Sequence, residues 1–159
     1  MSKNVSKKMK YLNLLSNPIF FEDVLVSKFL NSLMVAGKKE TAEKILHESF
    51  NLIKKQTKKE PIKIFYKAIE NAKPFIEVKS VRVAGNTYKV PIEINNERQQ
   101  TLAIRWIIET LKERSEKTIV ERLSNELLDL VKEQGITIKK RDDLHRLAEA
   151  NTAFSHYRW

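Results

Sequence analysis

Hydrophobic and polar positions divide this chain into helical segments on either side of one extended segment. Residues 76–94 (IEVKSVRVAGNTYKVPIEI) show the two-residue period of β-strands, since Ile76 and Val78 alternate with charged side chains. Gly85-Asn86 lies between two such runs and predicts a turn. The segment is therefore expected to form a β-hairpin, and it is the one clear β signal in the sequence.

The register of this hairpin is predicted from the face that it would bury. A two-residue Gly85-Asn86 loop would place charged side chains opposite apolar ones, whereas a three-residue loop over residues 84–86 pairs Ile76 with Ile94. The longer loop also groups the apolar residues at the base of the hairpin, where they can pack on helices. We therefore expect the three-residue loop, with its glycine supplying a positive φ.

Apolar residues elsewhere recur at the spacing of amphipathic helices. Asn17-Pro18 signals the start of the first helix, Pro74 ends the third, and residues 136–138 are expected to form a short extended linker before the last. The predicted helices cover about residues 18–36, 39–56, 61–73, 96–114, 115–134 and 140–156. The fold class is therefore mainly α, a six-helix, bundle-like domain with one protruding β-hairpin between the third and fourth helices.

Two of these helices lead to specific expectations about the core. Trp106 falls on the apolar stripe of the fourth helix and is expected to be buried. The last helix is expected to bury Leu144, Leu147, Ala148 and Phe154.

The charge of the chain points to a polyanionic partner. Lys and Arg number 30 against 20 Asp and Glu among 159 residues, which gives a formal net charge of +10. A balance this basic favours nucleic acid first and an anionic membrane second. The absence of cysteine excludes disulfides and thiolate metal sites, and no apolar run approaches the length of a membrane span.

Residues 1–16 are expected to form a basic N-terminal arm, and residues 17–159 a single helical domain with its β-ribbon at residues 76–94. The arm has four lysines and no acidic residue. We expect phosphates to order it, with a solvated, frayed terminus as the alternative and a targeting peptide as a third interpretation.

The sequence contains no pattern typical of catalysis or metal binding. Gly37-Lys38 lacks the upstream glycine and the following hydroxyl residue of a phosphate loop. Asp142 and Asp143 are adjacent on a helix and diverge, so they cannot share a proton. The three histidines are too scattered along the chain for a helical metal pair. We therefore expect neither an enzyme nor a cofactor nor a metal site.

Basic residues cluster in places that favour a phosphate-tracking surface. The clusters are the arm, the corner at residues 37–39, the hairpin, and residues 139–141. Lysines of the second helix, such as Lys54, fit simple solvation of a helical surface equally well. Tyr88 and Tyr157 either stack on bases or pack within the protein.

Three classes of function fit these features. An RNA-binding scaffold and a DNA-bending protein would both use the basic hairpin, but DNA benders place an apolar wedge or a proline at the tip of such an arm. Here the tip is Ala84-Gly85-Asn86, which argues against DNA. A membrane or protein-interaction module would need a basic amphipathic helix with a free apolar face, and every apolar stripe is needed for the core.

Five stretches of the chain are similar to one known family. They are KFLNSLMVAGKKETAEKI (28–45), AIENAKPFIEVKSVRVAGNTYKVPIEI (68–94), LAIRWI (102–107), RSEKT (114–118) and KKRDDLHRLAEANTAFSHYRW (139–159). On these residues the chain from about 17 to 159 resembles bacterial-type small-subunit ribosomal protein seven. Five such matches in the same order are implausible by chance.

The resemblance implies a primary binder of the 3′ major domain of small-subunit ribosomal RNA, which organises assembly of the ribosomal head. It also implies a place near the exit-site tRNA and the messenger RNA path, beside small-subunit ribosomal protein eleven and near protein nine. The RNA-facing residues that it implies are Lys7, Lys8, Lys10, Lys38, Lys39, Lys79, Arg82, Lys89, Arg98, Arg114, Lys117, Lys139, Lys140 and Arg141. The residues implied to face tRNA and protein eleven are Ala84, Gly85, Asn86, Thr87, His156, Tyr157, Arg158 and Trp159.

Some positions depart from the usual pattern of that family. Val81 stands where a basic residue is usual, Ala84 where glycine is common, and Arg98 is the one arginine left between residues 95 and 100. Fewer RNA contacts would suit a ribosome with altered RNA, and a composition rich in Lys, Ile and Asn is typical of an AT-rich genome. We therefore expect a small ribosomal subunit in an organelle, a mitochondrion, slightly ahead of one in a bacterial cytoplasm.

Overall fold

The computed structural model describes residues 23–157. The expected arm over residues 1–16, the Asn17-Pro18 signal, Arg158 and Trp159 lie outside the described residues. In chain order the elements are α1 (Val24–Leu33), α2 (Lys39–Thr57), α3 (Pro61–Ala72), β1 (Ile76–Val83), β2 (Asn86–Glu93), α4 (Asn96–Glu113), α5 (Ile119–Val131), α6 (Ile136–Ala150) and a 3-10 helix (Thr152–Tyr157). The predicted fold class is confirmed, because these are mainly helices with one antiparallel hairpin between α3 and α4.

Side-chain caps and a proline start several of these helices. Asp23 Oδ1 accepts a hydrogen bond of 2.9 Å from the Leu25 N–H at the start of α1. Asn95 caps α4 in the same way by accepting from the Arg98 N–H at 2.9 Å. Pro61 occupies the first turn of α3, where its missing N–H costs nothing.

Apolar side chains from α1 to α5 form one core. The ring of Phe65 lies edge-on to Phe29, with centroids 5.3 Å apart and planes at 83°, and its centroid lies 5.8 Å from that of Phe50. Leu111 of α4 and Leu127 of α5 belong to the same core and are almost completely buried. The aromatic contacts join α1, α2 and α3 at the centre of the domain.

One residue of α4 is less buried than predicted. Trp106 is only partly buried, contrary to its predicted place in the core. Its neighbours Ile104, Ile107 and Thr110 on the same helix are buried. Apolar residues occupy more than one side of this helix, so their period alone does not determine which of them turn inward.

The start and end of α6 also differ from the prediction. The expected linker at residues 136–138 is wrong, because α6 begins at Ile136. Thr137 and Ile138 are buried in its first turn, where the Thr137 hydroxyl donates to Glu126 at 2.6 Å. This contact with α5 explains why the segment joins the helix instead of linking two elements.

The last helix ends earlier than the sequence pattern suggests. It gives way after Ala150 to the 3-10 helix, which carries Phe154. Of the residues expected in the core, Ala148 is buried and Leu144 is partly buried, whereas Leu147 is 37% exposed. The change of helix type rotates Phe154 toward the hairpin, where its ring meets that of Tyr88.

The hairpin register also corrects the prediction. The turn is the two-residue Ala84-Gly85, and the strands pair Val83 with Asn86 and Val81 with Tyr88. The expected three-residue loop, which would pair Ile76 with Ile94, is therefore wrong. Ala84 and Gly85 have φ values of 49° and 86°, and positive φ at both positions gives the turn whose twist matches that of paired strands.

Hydrogen bonds close the base of the hairpin onto the helices. The Arg98 guanidinium donates to both Glu77 carboxylate oxygens, at 2.6 and 3.1 Å, and so ties β1 to α4. The buried Lys73 ammonium donates to Asn96 Oδ1 at 3.0 Å, which joins the end of α3 to the start of α4. The strands therefore leave the helical domain from a braced base.

Candidate RNA-binding surface

The outer part of the hairpin exposes cations without acidic partners. Lys79, Arg82 and Lys89 are exposed, and within residues 23–157 no carboxylate lies within 4.0 Å of their charged groups. The register places Arg82 and Lys89 on one face of the ribbon and Lys79 on the other. The tip at residues 84–87 is exposed. Arg82 and Lys89 can therefore meet phosphate groups on one face of the ribbon, whereas Lys79 is an exposed cation on the face that also carries the buried Val90.

The turn between α1 and α2 forms a second exposed basic site. Lys38 and Lys39 are exposed at the N-terminus of α2, and the Lys38 side chain makes no capping hydrogen bond. Gly37, with φ of 72°, reverses the chain just before them. Glu40 lies in the same first turn and opposes part of this positive charge, so the two lysines, more than the helix N-terminus, make this turn basic.

The remaining predicted RNA-facing residues fall into two groups. Lys117 and Lys139 are exposed. Lys140 lies 3.1 Å from Glu113 and 3.4 Å from Glu109, and the Arg141 guanidinium donates to the Asn71 carbonyl and to Asp142. The described residues do not include the other three predicted RNA-facing lysines, Lys7, Lys8 and Lys10. The internally paired side chains have less capacity for phosphate, while the role of each in RNA binding stays a prediction.

Arg98 and Glu77 form one of these internal pairs. The hydrogen bond from the guanidinium lowers the pKa of the Glu77 carboxyl and raises that of Arg98. The pair is thus ionised at neutral pH and braces the hairpin. Its RNA-facing role stays a prediction.

Arg114 is the most strongly paired of the predicted RNA-facing residues. Its guanidinium donates to Glu116 at 2.7 Å, to Glu126 at 2.7 Å and to Asp129 at 2.9 Å. The hydrogen bond with Glu116 is the largest cause of the raised pKa of Arg114, and it lowers the pKa of Glu116 to about 2. Only 16% of the Arg114 side chain is exposed, so the geometry gives it a structural role in the free protein.

The aromatic residues at the C-terminal end pack against the hairpin. The rings of Tyr88 and Tyr157 stack with centroids 4.9 Å apart and planes at 29°. Phe154 lies 5.1 Å from Tyr88, and His156 lies 4.1 Å from Tyr157. Of the two interpretations of Tyr88 and Tyr157, packing within the protein is the one that the structure supports.

Phe75 is a surface aromatic residue that the sequence pattern did not single out. It is 70% exposed at the start of the hairpin, and its ring stacks on His145 with centroids 5.6 Å apart and planes at 14°. The Phe75 N–H donates to His145 Nε2 at 3.1 Å, which requires that nitrogen to be unprotonated. Burial, followed by the charge of Arg141, lowers the pKa of His145 and so favours the neutral ring. The sequence signal that could have identified Phe75 is its position directly after Pro74, the proline that ends a helix.

Between residues 23 and 157, no group of three or more His, Asp or Glu side chains could hold a metal ion. No helix in that part of the chain is long and apolar enough to cross a membrane.

Comparison with known proteins identifies the family. The family described as Ribosomal protein S7p/S5e matches residues 2–152. The chain belongs to this S7p/S5e family. The chain is 51% identical over 139 residues to the small ribosomal subunit protein uS7 of Methylobacterium radiotolerans, and 53% identical over 141 residues to that of Acidiphilium cryptum. Each match covers 87% of this chain and 89% of the relative.

Membership of the S7p/S5e family confirms several predictions. It is a family of structural proteins of the small ribosomal subunit that act in translation, and its members are not enzymes. The resemblance to bacterial-type protein seven is thereby confirmed. The family gives no support to the DNA-bending alternative.

The expected mitochondrial location is not supported. The uS7 relatives, which include that of Methylorubrum populi at 52% identity over 139 residues, are from bacteria. They point to a bacterial ribosome. The composition rich in Lys, Ile and Asn reflects the genome that encodes a protein, and it does not by itself distinguish an organelle from a bacterium.

Proposed function

We propose that this S7p/S5e protein is a primary binder of small-subunit ribosomal RNA, that it recognises the 3′ major domain, and that it thereby nucleates assembly of the head of a bacterial small subunit. The single observation that carries this proposal is the set of exposed, unneutralised cations Lys79, Arg82 and Lys89 on the hairpin between α3 and α4. Family membership supports the setting in the small subunit.

The hairpin and the α1–α2 turn supply two separate phosphate contacts. Lysine and arginine side chains bind phosphates through charge, with release of the counterions that surround RNA. A-form RNA has a major groove too narrow for side chains. The distance between these two basic sites would therefore have to match the distance between phosphates in a folded RNA junction. We infer that specificity comes from this spacing more than from contacts with base edges.

The basic arm over residues 1–16 is proposed to add phosphate contacts, through Lys7, Lys8 and Lys10, to the domain over residues 17–159. Its lysines and the hairpin cations would bind neighbouring strands of the same RNA domain. Gel-shift titration of a chain that lacks residues 1–16 tests this, since the loss should appear mainly as a smaller dependence on salt.

The hairpin tip and the C-terminal residues are proposed to face other ribosomal components. Residues 84–87 and His156 are exposed, and Tyr88 and Tyr157 hold the two segments together. We propose that this joint surface lies near the exit-site tRNA and the messenger RNA path, beside protein eleven and with protein nine nearby. A single rigid surface would present both segments to the same neighbours.

Sedimentation of cell extract tests the proposed function. The protein should co-migrate with the small ribosomal subunit and leave that fraction after digestion with ribonuclease. As a matched test in purified form, a fragment that contains the 3′ major domain should bind, whereas an RNA of equal length from another domain should bind more weakly at the same salt concentration. Equal affinity for the two RNAs would contradict a specific role in head assembly.

A further inference from the structure

An apolar groove with a basic rim lies where α2, α3 and α5 meet. It encloses about 590 Å³ between the end of α2, the first turns of α3 and the end of α5. Its floor is made by Ile64, Leu128 and Val131, and none of the predicted RNA-facing residues lines it. The groove is therefore a separate surface from the hairpin and the α1–α2 turn.

The floor of the groove is apolar and firmly held. Ile64 is buried in the main core, and Leu128 and Val131 pack against that core. The Asn71 amide donates to the Leu130 carbonyl at 2.9 Å, which ties the end of α3 to the end of α5. The floor thus offers a preformed site for an apolar side chain, so little ordering is needed on binding.

The rim carries four lysines and one carboxylate. Lys59, Lys63, Lys67 and Lys132 are exposed around the groove. Lys63 pairs with Glu60 at 3.0 Å, but both side chains are more than half exposed, so the pair neutralises little of the rim. For the other three lysines, no acidic group of residues 23–157 lies within 4.0 Å.

This combination fits a protein segment better than RNA. The lining has no arginine and no aromatic side chain on which a base could stack, and Glu60 would repel phosphate. An apolar floor is filled by apolar side chains, which RNA lacks. The N-terminal residues 1–22 of this chain are a poor occupant, because they carry four lysines and one glutamate.

We propose that the groove docks an acidic, amphipathic segment of a partner protein, with large apolar side chains on the floor and carboxylates on Lys63, Lys67 and Lys132. Lys63 and Lys67 are one turn apart on α3 and face the same side, so they can hold two carboxylates of one helix. The length of α2 separates this groove from the Lys38–Lys39 turn by roughly 27 Å. The partner can therefore occupy the groove while that turn is bound to RNA.

The test uses fluorescence anisotropy with a labelled synthetic helix that carries Glu on one face and Leu and Phe on the other. Its control peptide replaces every Leu and Phe by Ser. The groove variant is K63E with K67E, and the matched control is K79E with K89E on the hairpin, which changes the net charge equally and also replaces exposed lysines. Circular dichroism verifies that both variants are folded.

The groove variant should bind the amphipathic peptide about tenfold more weakly, and the hairpin variant should bind it almost as well as the unchanged chain. The peptide with Ser should bind weakly to all three proteins. Binding of the 3′ major domain RNA should show the opposite pattern, with the loss confined to the hairpin variant. If the hairpin variant keeps the RNA affinity of the unchanged chain, that result alone would count against the proposed function and leave the groove proposal standing.

Several results would overturn the docking proposal. These are no binding of the amphipathic peptide, equal binding of the two peptides, and equal losses in the two variants. Loss of RNA affinity in the groove variant would assign the groove to RNA. Self-association of the chain that K63E with K67E abolishes, measured by sedimentation velocity, would assign it to a second copy.

Discussion

Arg114 Nη1 donates a hydrogen bond of 2.7 Å to Glu126 Oε2, and the Glu126 side chain has no exposed surface. The other carboxylate oxygen of Glu126 accepts from the Thr137 hydroxyl at 2.6 Å, and Thr137 lies 3.0 Å from the Thr110 hydroxyl. One buried polar network therefore joins α4, α5 and α6. The guanidinium also holds Glu116, so the connection between α4 and α5 belongs to the same network.

Replacing Arg114 by Ala should strongly destabilise the fold. The change leaves the buried Glu126 carboxylate without its charged partner, and breaking such pairs typically costs about 3–5 kcal/mol. The free energy of unfolding in urea measures this loss. The control is Arg98→Ala, whose pair with Glu77 is more exposed and should cost less than about 1 kcal/mol. Equal losses in the two variants would remove Arg114 from the structural network.

Stability at acid pH should depend on Glu116. The hydrogen bond from Arg114 lowers the pKa of this carboxyl from 4.5 to about 2 in the folded protein. A carboxyl with a lowered folded pKa contributes its full stabilisation above its unfolded pKa, and this contribution is lost as the pH falls through the folded value. The urea concentration at the midpoint of unfolding should therefore decrease as the pH is lowered from about 4.5 to about 2. The urea midpoint of Glu116→Gln should decrease less steeply over this pH range. Equal decreases in the variant and the unchanged protein would contradict this assignment.

Phe75 should contribute to RNA affinity by stacking. Phe75 is 70% exposed, its ring is oriented by His145, and base–aromatic stacking is worth about 1–3 kcal/mol. Phe75→Ala should weaken binding of the 3′ major domain RNA by this amount, while Phe75→Trp should retain it. Val24→Ala is a matched control, because Val24 is 68% exposed and apolar but not aromatic, and it lies outside the hairpin and the α1–α2 turn. An equal affinity for the Ala and Trp variants would exclude stacking at Phe75.

The stack of Tyr88 on Tyr157 should hold the hairpin in place. Aromatic pairs contribute about 1 kcal/mol beyond the area that they bury. Tyr157→Ala should therefore increase hydrogen exchange of the β2 amides, because the 3-10 helix no longer braces the strand. Tyr66→Ala on α3 is the control and should leave β2 unchanged. Exchange that does not change in Tyr157→Ala would show that the base contacts alone hold the hairpin.

Helix positions were predictable where local signals agree. The second helix was expected over residues 39–56 and extends from Lys39 to Thr57, because its apolar stripe is regular and turns flank it. The basic, exposed hairpin was predictable for the same reason. These features depend on residues that are close in sequence.

Features that depend on distant residues were not predictable in this way. The observed hairpin register places Ala84 at positive φ and brings Tyr88 against Tyr157. Tyr157 lies far along the chain, so the sequence near the hairpin does not contain this contact. The three carboxylates around Arg114 come together only in the folded protein. The spacing of Glu126 and Asp129, which places them on one face of α5, was a signal that could have been found.

The most direct test of the central claim measures how the RNA affinity of a hairpin variant depends on salt. The variant replaces Lys79, Arg82 and Lys89 by Ala. If these side chains contact three phosphates, the slope of log K against log salt concentration should decrease by roughly 2–3 for the 3′ major domain RNA. The free energy of unfolding should stay nearly unchanged, since the three side chains are exposed.

A control that replaces the exposed lysines Lys54, Lys55 and Lys112 by Ala removes the same charge and should retain the original slope. An unchanged slope and affinity in the hairpin variant would contradict the claim that the hairpin binds this RNA.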